Sequence, residues 1–227
     1  NADVILTIGS NNVENHPVSS KWVQRALDNG ATWIVVDPRY TRSAEMADIY
    51  CPIRSGTDIA FYGGLFNYIL EHDLWQHEYV LNYTNASYLL DEEYSFDVET
   101  GIFSGFDKDS ATYDAKTWHY QVESTKEWDT SEGGAYAWAK AEGVPEFTPP
   151  TVEVPKRDMT LQDPMCVFQQ MKKHYSRYDL DTVSATCGMD KELLEKVYAT
   201  YAATGAPDKS GTILYALGQT QHTYGAQ

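Results

Sequence analysis

Four short segments of this sequence combine polar side chains with glycine or proline, which permit tight turns. They are residues 9–17 (turn 1), 37–40 (turn 2), 54–58 (turn 3) and 217–222 (turn 4). Each follows an apolar run of the kind that forms a buried strand. Ligands of open parallel sheets bind beyond the carboxyl ends of the strands. The four turns together therefore predict a site for an extended, nucleotide-like ligand at one edge of a sheet.

Each turn by itself has two interpretations. In turn 1, Asn11 and Asn15 can bond to a base, a sugar or a phosphate, but the GxGxxG fingerprint is missing, and a locally hydrogen-bonded turn is equally consistent. In turn 2, Asp37 suits ribose hydroxyls and Arg39 suits a phosphate, or the segment only ends a strand. In turn 3, a plain helix cap by Thr57 or Asp58 explains the polar residues.

The elements that must position these turns alternate along the chain. The pattern predicts strands over residues 4–8, 33–36, 49–53 and 212–217, and helices over 17–28, 59–71, 164–175 and 190–203. The apolar stripe of the first long helix is predicted to consist of Val18, Trp22, Val23, Ala26 and Leu27. Such alternation predicts an α/β fold, a Rossmann-like open parallel sheet with flanking helices.

The middle of the chain differs from its ends. Residues 86–165 hold 17 acidic and 6 basic residues together with 12 of the 30 aromatic side chains, among them Trp118, Trp128 and Trp138. Aromatic residues argue against disorder. We therefore predict that 1–85 is the first part of a dinucleotide-binding domain, that 86–162 is an irregular acidic and aromatic-rich insertion, and that 163–227 returns to the domain. A partly mobile acidic loop is the alternative for the insertion.

Composition excludes several classes of function. A formal charge of −16 and a pI near 4.6 argue against general binding to nucleic acid. No apolar run reaches the roughly 20 residues of a membrane helix. The three cysteines form no CxxC pattern, which excludes a cysteine-ligated metal or iron–sulfur site in this segment, and no catalytic or metal-ligating residue can be singled out. The chain opens on a strand and closes where a helix should begin, so we expect it to be a piece of a longer polypeptide.

A family resemblance rests on the same turns. The segments NADVILTIGSNNVENHP, VDPRYTR, DIYCPIRSGTD, HEYVLNYTN and ALGQTQH resemble the large, catalytic subunits of the molybdopterin oxidoreductases, the dimethyl sulfoxide reductase family. Within that family the similarity is greatest to formate dehydrogenases. The resemblance covers about residues 1–120 and 160–227.

The resemblance implies a bis-(molybdopterin guanine dinucleotide) cofactor that holds molybdenum or tungsten. Carried over by position, the residues that would line one guanine dinucleotide are Gly9, Ser10, Asn11, Glu14 and Asn15. Those by its nucleoside end would be Asp37, Pro38, Arg39 and Tyr40, with Ser55, Gly56 and Asp58 nearby. Those toward the pterin would be Leu217, Gly218, Thr220, Gln221 and His222. Arg39, Arg42 and Arg54 are expected to offset the phosphates.

The resemblance also implies the activity. A formate dehydrogenase interconverts formate and CO2 and passes electrons to an iron–sulfur subunit through clusters that include a 4Fe-4S cluster. The family's cluster cysteines, its metal-ligating cysteine or selenocysteine and its substrate arginine are expected outside this segment. The periplasm is the expected compartment, with the cytoplasm as the alternative. A nitrate or other oxyanion reductase, or a stand-alone nucleotide-binding module, remains as an alternative function.

Overall fold

The computed structural model describes residues 1–127 and 151–226. The chain divides into two compact units: unit 1 is Asn1–Val80 with Lys172–Gln227, and unit 2 is Leu81–Met171. Part of the predicted insertion, including Trp128 and Trp138, lies outside the described residues. Within the described ranges, every helix is too short or too polar to span a lipid bilayer.

The elements follow the alternation that the sequence predicts. The strands are β1 Val4–Ile8, β2 Thr32–Val36, β3 Ile49–Cys51, β4 Phe106–Asp107, β5 Thr112–Tyr113, β6 Val122–Glu127, β7 Thr151–Pro155 and β8 Gly211–Tyr215. The helices are α1 Asn12–Asn15, α2 Pro17–Asp28, α3 Arg42–Met46, α4 Asp58–Glu71, α5 His77–Tyr83, α6 Val167–Tyr175, α7 Leu180–Cys187, α8 Lys191–Ala202 and α9 Leu217–Thr220. Single 3-10 turns occur at Ala115–Thr117 and Ala203–Gly205.

A four-stranded parallel sheet forms the centre of unit 1, with the strand order β3-β2-β1-β8. In register, Ile8 lies beside both Val36 and Tyr215, and Val36 lies beside Cys51. The last residues of all four strands are therefore level with one another. We call this side of the sheet the carboxyl edge. The predicted α/β class with an open parallel sheet and flanking helices is confirmed.

One face of the sheet is covered by α2 and α3. Val23 and Ala26 of α2 and Ala44 of α3 pack with Ile5 and Trp33 of the strands. Because both connections β1–α2–β2 and β2–α3–β3 run toward the same edge strand, a right-handed crossover places both helices on the same face. This packing fixes where α2 and α3 begin, immediately after turns 1 and 2.

The other face carries α4, α7 and α8. Its core contains Leu6 and Ile34 of the sheet with Phe61, Val183 and Leu194 of the helices. The Tyr198 hydroxyl donates a hydrogen bond of 2.6 Å to the Phe61 carbonyl oxygen. A β-carbon on Gly64 would lie 2.5 Å from that hydroxyl oxygen, so glycine at this position lets α8 approach α4 closely.

Several sequence predictions were wrong in detail. Val18 and Trp22 of the predicted apolar stripe are 73% and 58% exposed, and Trp22 lines an open groove. The third strand ends at Cys51 and the last at Tyr215, so Leu217 starts a helix and does not end a strand. The helix predicted from Pro164 begins at Val167, because Asp163 accepts a hydrogen bond from the Met165 N–H and forms a turn first.

Helix α7 was not predicted from the sequence. Its residues LDTVSATC include β-branched and small polar side chains, which have low helix propensity. Asp179 caps its start by accepting a hydrogen bond of 2.8 Å from the Thr182 N–H, and Val183 and Cys187 are buried. Capping and burial therefore stabilise a helix that local propensity alone does not favour.

Unit 2 is built from short antiparallel pairs, β4–β5 and β6–β7, and from tight turns. Asp158 organises one of these turns by accepting hydrogen bonds from the Thr160 hydroxyl and N–H and from the N–H groups of Gln162 and Asp163. These bonds, with the Thr160 hydroxyl contributing most, lower the pKa of Asp158 to about 2. The hydrogen bonds to the Asp158 carboxylate thus stabilise the turn over residues 158–163, which lies in a unit with few regular elements.

The hydrogen bond between Trp33 and Thr7 offers a test of the core. The buried Trp33 Nε1–H donates to the Thr7 hydroxyl at 2.9 Å. Replacing Thr7→Val leaves that donor buried without its acceptor, and we expect the free energy of unfolding to fall by about 1–3 kcal/mol in urea denaturation. The control variant Thr7→Ser keeps the acceptor and should be the more stable of the two; the opposite order would contradict this role.

Candidate functional site

All four predicted turns lie at the carboxyl edge, because each follows a strand whose end is level with the others. Turns 1 and 4 are in direct contact. A β-carbon on Gly9 would lie 2.6 Å from the Gln219 nitrogen, and one on Gly218 would lie 2.5 Å from the Gly9 carbonyl oxygen. Gly9 also has a φ of +60°, which favours glycine. The two backbones can therefore touch only because both positions lack a side chain.

The polar side chains of turn 1 are ordered by hydrogen bonds. Asn11 Oδ1 accepts from the Ser43 N–H at 3.3 Å and from the Ser43 hydroxyl at 3.1 Å, so turn 1 is tied to α3. Ser10 bonds to Asn12, and Asn11 bonds to Glu14. Ser10 is buried, while Glu14 and Asn15 are exposed. The exposed pair is accessible to a ligand, and the buried serine shapes the turn.

Turn 2 is anchored at Asp37 and leaves its other residues open. Asp37 Oδ1 accepts from the Arg39 N–H at 2.8 Å, and its carbonyl oxygen accepts from the Tyr50 hydroxyl at 3.0 Å. Tyr40 packs edge-on against Tyr50 with ring centroids 5.0 Å apart. Pro38, Arg39 and Tyr40 are exposed. Turn 2 therefore presents a guanidinium and an aromatic ring on a fixed backbone.

Turn 3 differs from the prediction in two respects. Thr57 does not cap α4 with its side chain, because its hydroxyl donates to the Arg54 carbonyl oxygen at 2.7 Å. The Arg54 guanidinium donates to the carbonyl oxygens of Ala185 and Thr186, at 3.3 and 2.6 Å, near the end of α7. Carbonyl groups at a helix end lack helical partners and attract cations. Arg54 is thus bonded to the end of α7, a contact that the sequence did not predict.

Turn 4 consists mainly of α9. Leu217, Gly218, Gln221 and His222 are exposed, and Thr220 is half-buried. A β-carbon on Gly56 of turn 3 would lie 3.9 Å from His222 Nδ1, so turns 3 and 4 face each other across a narrow space. The exposed residues of this turn therefore border the open side of the carboxyl edge.

A cavity of about 240 Å3, the edge cavity, lies between turns 3 and 4. Its lining includes Gly56, Asp58, His222 and Tyr224. Burial raises the pKa of Asp58, and the Asp37 carboxylate raises it further, whereas His222 lowers it. Residues of turns 2 and 4 therefore affect the pKa of a carboxylate in turn 3.

The three cysteines are free and buried in this fold. Burial raises the pKa of Cys51 to about 12 and also raises the pKa values of Cys166 and Cys187. These thiols are therefore protonated at pH 7 and pack as core side chains. Across residues 1–127 and 151–226, no group of three His, Cys, Asp or Glu side chains is arranged to hold a metal ion.

The site contains residues that sequence reasoning missed. Ser43 accepts from the Val13 N–H at 3.1 Å and also donates to Asn11, so it joins α3 to turn 1. Gln219 accepts a hydrogen bond from Tyr62 at 3.4 Å at the carboxyl edge. Neither partner is near in sequence, since the separations are 32 and 157 residues. A glycine lies within two residues of Asn11, Tyr62 and Gln219 but none lies near Ser43, so no local signal points to the Ser43 contacts.

An open groove of about 370 Å3 lies on the face that carries α2. Its apolar lining includes Trp22 and Val23 of α2, Ile5 of β1 and Leu214 of β8, and Ser10, Asn12 and His16 of turn 1 border it. It lacks the carboxylates and the convergent glycine turns of the carboxyl edge. The carboxylates and glycine turns that suit a nucleotide are therefore at the carboxyl edge and not in this groove.

Comparison with known proteins identifies relatives along the whole chain. Residues 1–74 match the family model for molybdopterin oxidoreductases. The chain is 51% identical over 227 residues to formate dehydrogenase subunit alpha of Megalodesulfovibrio gigas, covering 100% of this chain and 20% of that protein. It is 45% identical over 228 residues to the major subunit of the nitrate-inducible formate dehydrogenase of Escherichia coli K12. That alignment also covers 100% of this chain and 20% of the relative. The chain thus spans about a fifth of the length of these relatives.

A solved structure supports the fold. The acetylene hydratase of Pelobacter acetylenicus superposes on 96% of this chain and 18% of its own with a TM-score of 0.52. The two sequences are 22% identical over this alignment, so the likeness concerns the fold alone. An α/β arrangement of the kind described above therefore occurs in a second protein.

The contact between turns 1 and 4 can be tested by comparing two glycines with positive φ. Gly9 (φ +60°) touches turn 4, whereas a β-carbon on Gly30 (φ +90°) would meet no atom within 4 Å. We expect Gly30→Ala to lower the free energy of unfolding by about 1 kcal/mol through backbone strain. Gly9→Ala adds a clash and should cost at least about 3 kcal/mol in urea denaturation. Equal losses would contradict the close contact.

The environment of Asp58 predicts a pH dependence. Burial raises the pKa of Asp58 in the folded state, so ionisation of this carboxyl group destabilises the fold. The penalty is absent below the unfolded pKa, grows as the pH rises through the folded pKa, and is complete above it. Asp58→Asn removes the titration. The variant should therefore gain stability relative to the natural protein as the pH is raised from 3 to 7, measured by urea denaturation. A relative gain that is larger at pH 3 would contradict this assignment.

Proposed function

We propose that this chain, whose residues 1–74 belong to the molybdopterin oxidoreductase family, binds the guanine dinucleotide part of a molybdopterin cofactor in a formate dehydrogenase. The observation that carries the proposal is the convergence of the four turns at the carboxyl edge, where Gly9 and Gly218 bring two backbones into contact. The similarity of the whole chain to formate dehydrogenase alpha subunits supports the choice of reaction.

The residues present fit such a ligand. Exposed Asn15, Arg39 and His222 supply hydrogen-bond donors, and Gly56 leaves room for a ligand beside the backbone of turn 3. Asp37 and Asp58 supply acceptor oxygens, which suit ribose hydroxyls and the N–H groups of a guanine ring. A phosphate is disfavoured beside Asp58 because like charges repel at short range. The phosphates are therefore expected nearer turn 1 and Arg39.

The cofactor would supply the redox chemistry, in which formate loses two electrons and one proton to become CO2. This chain's own residues bind and orient it: turns 1 and 4 fix the distance between two parts of the binding surface, and turns 2 and 3 close its sides. We infer that the cofactor is the bis-(guanine dinucleotide) form with molybdenum or tungsten. We infer too that electrons leave through a 4Fe-4S cluster and an iron–sulfur subunit outside the described residues.

The test uses the natural polypeptide that contains this chain, purified without chelators. We expect GMP to be released by acid hydrolysis, molybdenum or tungsten to be found by mass spectrometry, and a viologen dye to be reduced with formate. Absence of both GMP and the two metals would overturn the proposal. A protein that contains the cofactor could also fail to reduce the dye with formate and instead oxidise the reduced dye with nitrate. That result would replace formate oxidation by oxyanion reduction as the proposed reaction.

Gly56→Val offers a test within this chain. Gly56 has a φ of +82°, and its missing side chain faces His222 across the edge cavity, so valine would both strain the backbone and narrow the cavity. We expect the content of GMP and of metal per protein to fall at least about tenfold. Gly30→Val is the control, because Gly30 has a φ of +90° and faces open space. Similar losses in both variants, or none in Gly56→Val, would count against the assignment.

A further inference from the structure

Ser43 is a buried serine that joins two of the turns at the carboxyl edge. It lies in α3, which follows turn 2, and it is fully buried. The Thr41 hydroxyl accepts a hydrogen bond of 3.2 Å from the Ala44 N–H and so fixes the start of α3. The Ser43 hydroxyl oxygen in turn accepts from the Val13 N–H of turn 1 at 3.1 Å. A residue that follows turn 2 therefore holds the backbone of turn 1.

The same serine fixes which atom of the Asn11 amide faces inward. Because the Ser43 oxygen accepts from Val13, its hydrogen is left to donate, and it donates to Asn11 Oδ1 at 3.1 Å. The Ser43 N–H, which can only donate, points to the same oxygen at 3.3 Å. The amide nitrogen could accept from neither donor, so these two bonds determine the amide orientation. The oxygen of Asn11 is therefore turned toward α3.

The nitrogen of the Asn11 amide is turned the other way. Asn11 Nδ2 donates to the exposed Glu14 carboxylate, which accepts from an N–H and has nothing to offer an amide oxygen. Nδ2 carries two hydrogens, and among the described residues Glu14 takes one of them. Asn11 is half-buried, so the second hydrogen can reach a ligand beside turn 1. The side chain thus offers that ligand a donor and not an acceptor.

We propose that Ser43 is a positioning residue for the cofactor: it turns the Asn11 oxygen inward, so that the Asn11 N–H faces an oxygen atom of the guanine dinucleotide. The inference rests on the proposed function, in which turn 1 lines this part of the cofactor. Ser43 is buried and acts through Asn11 without touching the ligand. Because it also ties turn 1 to α3, one hydroxyl both orients the donor and fixes its place relative to turn 2.

Loss of the Ser43 hydroxyl has two consequences. The Val13 N–H loses its acceptor, which lowers the stability of the fold, and the Asn11 oxygen keeps a single anchor, the Ser43 N–H. The amide then rotates more freely, and a ligand must order it on binding, which weakens the affinity. The two consequences are separable, because only the second depends on the presence of the Asn11 side chain.

The experiment uses the natural polypeptide that contains this chain, in an apo form made without cofactor synthesis, and GMP is the probe in calorimetry. We expect Ser43→Ala to weaken GMP binding about fivefold and Asn11→Ala about tenfold, as loss of a hydrogen bond does. Ser43→Thr keeps the hydroxyl and should restore the affinity to within about twofold of the natural protein. Thermal melts show whether each variant is folded at the temperature of the titration.

A double variant separates positioning from a general effect on the fold. Because Ser43 acts through Asn11, Ser43→Ala combined with Asn11→Ala should bind GMP as weakly as Asn11→Ala alone. Independent effects would instead multiply to a loss of about fiftyfold, which would overturn the inference. Should Ser43→Thr fail to fold, this comparison decides, because it needs no side chain larger than the natural one at the buried position.

Ser87→Ala is the matched control. Ser87 is also fully buried, and its hydroxyl oxygen accepts a hydrogen bond of 2.8 Å from Arg157 Nε within unit 2. This variant should lower the melting temperature, as Ser43→Ala does, but leave the GMP affinity within about twofold of the natural value. Equal losses of affinity in the two variants would mean that stability alone is responsible, and would overturn the inference.

Asn11→Asp tests the orientation of the amide directly. Aspartate keeps the shape of the side chain and the oxygen that faces Ser43, but it replaces the outward N–H by a second oxygen. We expect it to bind GMP no better than Asn11→Ala. Natural affinity in Asn11→Asp or in Ser43→Ala would overturn the inference, as would a natural apo protein that does not bind GMP. Failure of the proposed function is distinguishable, because acid hydrolysis of the natural holo protein would then release no GMP.

Discussion

The backbones of Gly9 and Gly218 touch at the ends of two adjacent parallel strands, and the geometry of the candidate site depends on this contact. Ile8 and Tyr215 are register partners, so the chain leaves both strands at the same level. A β-carbon at either glycine would lie 2.5–2.6 Å from the other turn's backbone atoms. Turns 1 and 4 can therefore form one continuous surface.

Charge imposes a second constraint on the site. The chain has a formal charge of −16, yet the ligand we propose is anionic. Of the three arginines expected to offset phosphates, Arg54 bonds to the end of α7 and Arg42 pairs with Glu45 at 3.5 Å. Arg39 is exposed in turn 2. We therefore expect uncharged donors, such as the Asn15 amide of turn 1, to supplement Arg39 in binding this ligand.

Small residues in α4 connect the core to a cavity of about 280 Å3, the aromatic cavity, whose lining includes Tyr62, Phe66, Tyr175 and Tyr178. Gly64 admits the buried Tyr198 on the side of the core, and Gly63 admits Tyr178 on the side of the cavity. A helix with side chains at these two positions would stand farther from both tyrosines. The same helix begins at Asp58, so its close packing also fixes the carboxylate at the carboxyl edge. Core packing and the shape of the candidate site are thus set by one element.

The sequence alone determined the strand runs, the parallel α/β class and the position of all four turns, because apolar runs and turn residues act over a few neighbouring residues. Tertiary structure decided the rest. Local rules suggested Thr57 as a cap, but its hydroxyl bonds to Arg54, and α7 forms in spite of low propensity because its apolar side is buried. The aromatic cavity joins Tyr62 to Tyr178 across more than a hundred residues of sequence. Such contacts depend on how whole elements pack against each other, and no local pattern in the chain encodes that packing.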